Sequence, residues 1–222
     1  MAHEYLKKDF DFNNYAEILR YHWEADIYKI EKTLIYFNNN VEEKIKMNHQ
    51  VVMDHQDLFL VDEAMQDTGE LRQLIQPTLN RSIFITTYSA FEAFMKDLTF
   101  MLEYVLKTEN KVVDTKGNGI VKFSKFLKLE CQIDEIIFSG VLWENIKNWQ
   151  EVRNCVSHND GVPKNEEAQK KIEKVGIWID PKEQPFIFLH ENEVETFINL
   201  IKEFVSVLIE NIKGKHDLRI NK

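Results

Sequence analysis

Phe84-Ile85-Thr86-Thr87-Tyr88-Ser89-Ala90-Phe91-Glu92-Ala93-Phe94-Met95-Lys96-Asp97-Leu98-Thr99-Phe100-Met101-Leu102-Glu103-Tyr104-Val105 is the stretch that decides the fold class. Phe84, Tyr88, Phe91, Met95, Leu98, Leu102 and Val105 alternate four and three residues apart. Only an α-helix gathers that spacing on one face, and the seam suits packing along another helix. Pro77, just upstream, fits the first turn of such a helix, where its missing N–H costs nothing. Downstream, the polar segment 108–118, closing on Gly117-Asn118-Gly119, reads as an exposed loop.

The same periodicity recurs on both sides. Ala16, Leu19, Trp23, Ile27, Ile30, Leu34, Phe37 and Val41 form one apolar stripe, predicting a helix from about residue 14 that continues towards Met65. A break is expected at Asn38-Asn39-Asn40, and a stop at Thr68-Gly69. A short helix is expected over 123–129, then a longer one over 139–157 carrying Leu142, Ile146, Trp149, Val152 and Val156. Asn159-Asp160-Gly161-Val162-Pro163 supplies its stop. After an amphipathic piece over 166–175, two arms at 176–180 and 185–189 around the turn 181–184 predict a β-hairpin. The last helix starts at Asn192, with Glu195 in capping-box spacing. It buries Val194, Ile198, Ile201, Val205, Leu208 and Ile212, and Gly214 is its expected end.

Long seams with only 7 glycines and 4 prolines in 222 residues favour helices over a sandwich or barrel. The expected architecture is all-α: one domain over 1–222, an up-down four-helix bundle with its core at about 14–213, extra short helices, and the small hairpin at about 176–189. Cys131 and Cys155 are too few for a disulfide framework and lack ligand spacing, and His22, His49, His55, His190 and His216 show no metal-ligand spacing either. No cofactor or metal is therefore expected. No leader-like apolar segment follows Met1 and no membrane span is expected, which together point to the reducing cytoplasm. The net charge of −9 excludes a general nucleic-acid coat, so any RNA contact has to be local.

One segment carries chemistry: Arg153-Asn154-Cys155-Val156-Ser157-His158. With five arginines and seven histidines, an Arg-Asn pair followed by His at this distance arises by chance in about one chain in a hundred. At about 100° per residue, Arg153 falls on the apolar stripe between Trp149 and Val156, where a cation needs partners. Glu151, Asn154 and His158 share another face, so Asn154 is in place to orient the imidazole. Arg153 and His158 are about 140° apart on an ideal helix. Their convergence requires the chain to leave helical geometry near Ser157, or a second subunit. The plainer readings are an Arg153 stem packed on Trp149 with a distant salt bridge, and a His158 favoured only by the helix dipole. Cys155 has no base beside it and reads as packing. Tyr88 and Glu92 are within conceivable reach, and Lys122, Lys125 and Lys128 with Lys164, Lys170, Lys171 and Lys174 are candidate liners of an RNA path.

The Arg153-to-His158 segment resembles the Arg-Asn-x-x-x-His signature of the HEPN (higher eukaryotes and prokaryotes nucleotide-binding) family. The helix with Tyr88-Ser89-Ala90-Phe91-Glu92-Ala93-Phe94 also looks like the second helix of HEPN-like bacterial proteins. The resemblance implies a homodimer with a composite site and a metal-independent endoribonuclease acting on RNA. It also implies a place among toxins or defence effectors, with an antitoxin or other protein partner. Arg153 would clamp phosphate, His158 would act as acid/base and Asn154 would orient it. RNA supplies its own nucleophile, the 2′-OH, so cleavage would leave a 2′,3′-cyclic phosphate. Some such proteins are inactive, which leaves a non-catalytic bundle binding a nucleotide or a protein as the alternative. A helical interaction protein with an accidental match stands behind both.

Overall fold

A computed structural model describes residues 12–177, 179 and 187–220, with side chains over 14–177, 179 and 187–213. Among the described residues, seven α-helices follow in order: α1 (Phe12–Asp54), α2 (Leu58–Glu70), α3 (Gln76–Leu106), α4 (Gly119–Leu129), α5 (Val141–His158), α6 (Glu166–Lys174) and α7 (Glu191–Ile220). The class is all-α, with no strand among the described residues.

α1 runs through Asn38-Asn39-Asn40 without the expected break. Asparagine disrupts helices when its amide competes for backbone groups, but here the amides bond one turn back. Asn38 Nδ2 donates to the Leu34 carbonyl at 3.0 Å and Asn40 Nδ2 to that of Tyr36 at 2.6 Å. The helix ends instead at Asp54, and Asp57 opens α2 by accepting the Phe59 N–H at 3.0 Å.

Thr68-Gly69 is not a stop either. α2 continues through a π-helical turn, Leu71–Ile75, into α3. Pro77 explains the turn: it has no N–H for the Gln73 carbonyl and its ring crowds that group. The Gln76 N–H reaches back five residues to Leu71 O, which absorbs the misfit without ending the helix.

The chain divides into two compact units, both built from stretches of α1, α3, α5 and α7. One comprises Ile27–Tyr88 and Asn145–Asn199. Its core is an aromatic cluster: Phe84 of α3 lies 5.5 Å from Trp149 of α5 and 5.1 Å from Phe197 of α7, and Trp149 and Phe197 are 5.3 Å apart. A buried amide chain accompanies it. Gln76 Nε2 donates to Asn38 Oδ1 (2.9 Å), Asn38 Nδ2 to Asn80 Oδ1 (3.3 Å), and Asn80 Nδ2 to the Leu189 carbonyl (3.1 Å).

Of the hairpin expected at 176–189, the described residues show no strand and one antiparallel bridge between its arms, Ile179 to Ile187. Residues 178 and 180–186 of that prediction lie outside the described residues. Ile187 also bonds away from that bridge. The Ile187 N–H goes to Gly161 O at 2.9 Å, and the Ile187 carbonyl accepts from Arg81 Nη2 at 2.9 Å.

The other unit comprises Met1–Asp26, Ser89–Glu144 and Leu200–Lys222. Trp23 packs on Phe94 at 5.4 Å, and Trp143 on Phe204 at 5.3 Å. α4 starts at Gly119, earlier than expected, with Lys122 Nζ bonded to Val113 O (3.2 Å) and Lys125 Nζ to Lys116 O (3.5 Å). These lysines, candidates for an RNA path, instead fasten the preceding loop. In the first unit, α7 is opened by His190, whose N–H donates to Glu193 at 2.8 Å, so Glu193 takes the role expected of Glu195. The helix passes Gly214 and runs to Ile220.

The aromatic cluster predicts that Phe197→Ala destabilises the protein by about 3–5 kcal/mol, because three helices lose one shared ring. Urea unfolding followed by tryptophan fluorescence measures it. An effect below about 1 kcal/mol would mean the cluster does not hold this unit together.

Candidate active site

α5 owes its orientation to Ile146, Trp149, Val152 and Cys155, all buried. Val156, expected on this stripe, is only half-buried, and Cys155 takes the inward position. The end of α5 is chemically specified. Asp160 (φ +51°) and Gly161 (φ +87°) turn into the left-handed region, which Asp tolerates and Gly adopts freely. The Cys155 carbonyl accepts both the Asn159 N–H (3.1 Å) and the Gly161 N–H (3.0 Å). Asn165 then caps α6, accepting from the Ala168 N–H at 2.9 Å.

Arg153, Asn154 and His158 come together. Arg153 Nη1 lies 3.1 Å from His158 Nε2 and 3.2 Å from Asn154 Oδ1, and its guanidinium carbon sits 5.8 Å from the centre of the Tyr88 ring. α5 stays helical through His158, and a single chain makes the contact. The contact needs neither a departure from helical geometry at Ser157 nor a second subunit. The angle of about 140° describes where side chains leave the backbone, and the long arginine stem spans the difference.

The pairing dictates a tautomer. A guanidinium only donates, so the bond forms only with an Nε2 that carries a lone pair, leaving the proton of the neutral ring on Nδ1. Asn154, expected to orient the imidazole directly, instead accepts from Arg153 and acts on His158 through the guanidinium.

Beside this group lies a cleft of about 460 Å³, lined by Glu151, Asn154, Cys155, His158, Asn159, Lys164 and Ala168. Glu151, Asn154 and His158 share it, as their spacing indicates, and Arg153 is not among its lining residues. Lys171 spans the carboxylates of Glu167 (2.9 Å) and Glu151 (3.7 Å). The hydrogen bond from Lys171 holds the exposed Glu167 carboxyl below the usual range, and the same bond raises Lys171. Arg81 is the cation that sequence spacing missed. Seventy-two positions before Arg153, it bonds the Ile187 carbonyl, and burial lowers its pKa against the pull of Cys155 and Asp160. No local motif announces it, since only tertiary packing of α3 brings it here. Tyr88 reaches the site, whereas Glu92 belongs to the other unit, facing Gly119.

Among the described residues, no group of three or more His, Cys, Asp or Glu is arranged to hold a metal ion. Among the described residues, too, no helix is long and apolar enough to cross a membrane. No protein-family model, no curated protein and no solved structure matches the chain.

Cys155 is buried, and its thiol is pushed up to about 11 by burial, with Arg81 opposing and Glu151 adding to the shift. Because the folded state holds this proton where the unfolded state releases it, its contribution to stability falls as pH rises from about 9 to about 11. At pH 8 the thiol is protonated and shielded. Iodoacetamide with peptide mass mapping should label Cys155 only after addition of denaturant, and rapid native labelling would contradict this burial.

Proposed function

We propose that this chain is a metal-independent endoribonuclease of HEPN type, a toxin or defence effector of the cytoplasm. The observation that supports it is the 3.1 Å Arg153–His158 contact, beside a cleft of about 460 Å³ at the end of α5.

His158 Nε2, unprotonated in that contact, takes the proton of the ribose 2′-OH. The 2′-oxygen attacks phosphorus, the P–O5′ bond breaks, and a 2′,3′-cyclic phosphate and a 5′-hydroxyl result. Arg153 leaves the imidazole for the phosphate and stabilises the charge that develops on its oxygens. Asn154 positions the guanidinium. The 5′-oxygen takes its proton from an acid. In a homodimer, a second His158 supplies it, and the two copies pool their cations at a composite site.

The engaged state of Arg153 favours a second reading. A guanidinium held by His158, Asn154 and Tyr88, outside the cleft lining, also fits a non-catalytic HEPN-like bundle that binds a nucleotide or a protein partner.

Purified protein incubated with labelled RNA in EDTA separates the two. On the enzyme reading, RNA is cut to 5′-hydroxyl ends, and His158→Ala lowers the rate by about 10²–10⁴-fold, with Arg153→Ala comparably severe. Asn154→Ala has a smaller effect, because it acts through Arg153. Cleavage that survives the first two substitutions would sink the assignment, and nucleotide binding without cleavage would select the second reading. Light scattering checks the homodimer, and a strict monomer would remove the composite site.

A further inference from the structure

α2 is a helix that its own chain leaves nearly bare, for it buries Ala64 alone. Leu58, Val61 and Met65 are spaced three and four apart and so share a face. Leu58 is 77% and Met65 61% exposed. Phe59, also on α2, is 74% exposed, and Met53, in the last turn of α1 before the break, 82%. Large apolar side chains exposed together mark an interaction site more often than chance.

The charge carried by α2 itself has one sign, and the cations beside it are Lys44 of α1 and the exposed Arg72 of the turn that follows. Residues 54–70 contain six carboxylates and no lysine or arginine. Asp57, Asp62, Glu63 and Glu70 are exposed, while Asp67 is paired with Lys44 of α1 at 3.8 Å. A second copy docked face to face would bring this acidic set against itself, within a screening length of about 8 Å at physiological salt. RNA and anionic lipid headgroups are repelled for the same reason. An apolar face rimmed by carboxylates fits a partner with the reverse rim, and flexible methionines adapt to an inserted helix.

From the exposed apolar face and its acidic rim we infer that α2, with the end of α1, is a docking surface for a basic amphipathic helix of another polypeptide. The surface is independent of the Arg153–His158 site, so either can fail alone.

The probe is a synthetic fluorescent peptide of about 18 residues with leucine at i, i+3, i+4 and i+7 and lysine elsewhere, compared with its glutamate counterpart. Anisotropy with the full chain should show saturable binding of the lysine peptide only, weakened by added salt. Phe59→Ser with Met65→Ser, and separately Asp62→Lys with Glu63→Lys, should each weaken it by about tenfold or more. Because all four side chains are exposed, circular dichroism should be unchanged. Undiminished binding by these variants, equal binding of the glutamate peptide, or no binding of either overturns the inference. A wild-type dimer that Met65→Ser dissociates would assign the surface to a second copy and overturn it as well.

Discussion

The position of the Trp149 ring constrains the whole site. Wedged against Phe84 and Phe197, the indole fixes the rotation of α5 about its own axis. Val152 and Cys155 then point inward, Arg153 falls on the flank above Tyr88, and Glu151, Asn154 and His158 turn towards the cleft. Tyr88 is itself stacked on Phe197, with ring centroids 5.9 Å apart and planes 12° from parallel. One ring of α7 thus fixes both the helix that carries Arg153 and the aromatic surface beneath its guanidinium. A rotation of α5 by one residue, about 100°, would drive the guanidinium into the core and turn His158 off the cleft.

Features that depend on local periodicity were legible in the sequence. The seam from Phe84 to Leu102 is a helix whose Phe84, Tyr88, Phe91, Met95, Leu98 and Leu102 are buried, as a four-three alternation demands. The Asn159-Asp160-Gly161 stop was equally legible, because left-handed backbone preferences belong to single residues. Features that depend on distant partners were not. Beyond its local bond to Leu34, Asn38 is joined to Asn80 and Gln76, which are dozens of residues away, and the tie between Arg81 and Ile187 spans 106 positions. Of the hairpin, the described residues show one antiparallel bridge between the two arms, and alternation says nothing about the bonds that Ile187 makes to Gly161 and Arg81. At the candidate site, spacing placed Glu151, Asn154 and His158 on one face of α5 and Arg153 on another, and the first three line one cleft. A wheel of radial directions cannot represent an arginine that bends back to the histidine five positions on.

The Arg153–His158 bond has opposite consequences for chemistry. It presents an unprotonated Nε2, the state a general base needs, and orders it beside the cleft. It also occupies that lone pair, and ties up a donor that a phosphate would need. On the proposed reading, the resting arrangement is a latch that substrate opens. A phosphate offers the guanidinium two charged oxygens in place of one neutral nitrogen, and a charge-assisted fork is the stronger bond. Release of the base and capture of the phosphate are then one event. Asn154 keeps the guanidinium near both destinations.

Charge distribution decides which partners the chain can bring near. Lys171 is balanced by Glu151 and Glu167, so the cleft wall lends little net attraction, and a chain of −9 overall repels a polyanion at long range. RNA recognition here would therefore rest on short-range geometry at Arg153 and Lys164 rather than on steering, which favours a defined substrate over indiscriminate capture. The residues around α2 obey the opposite rule, since six carboxylates in one segment draw polycations from a distance before the apolar face engages. On the two proposals, surfaces of opposite preference on one acidic chain do not compete for the same ligand.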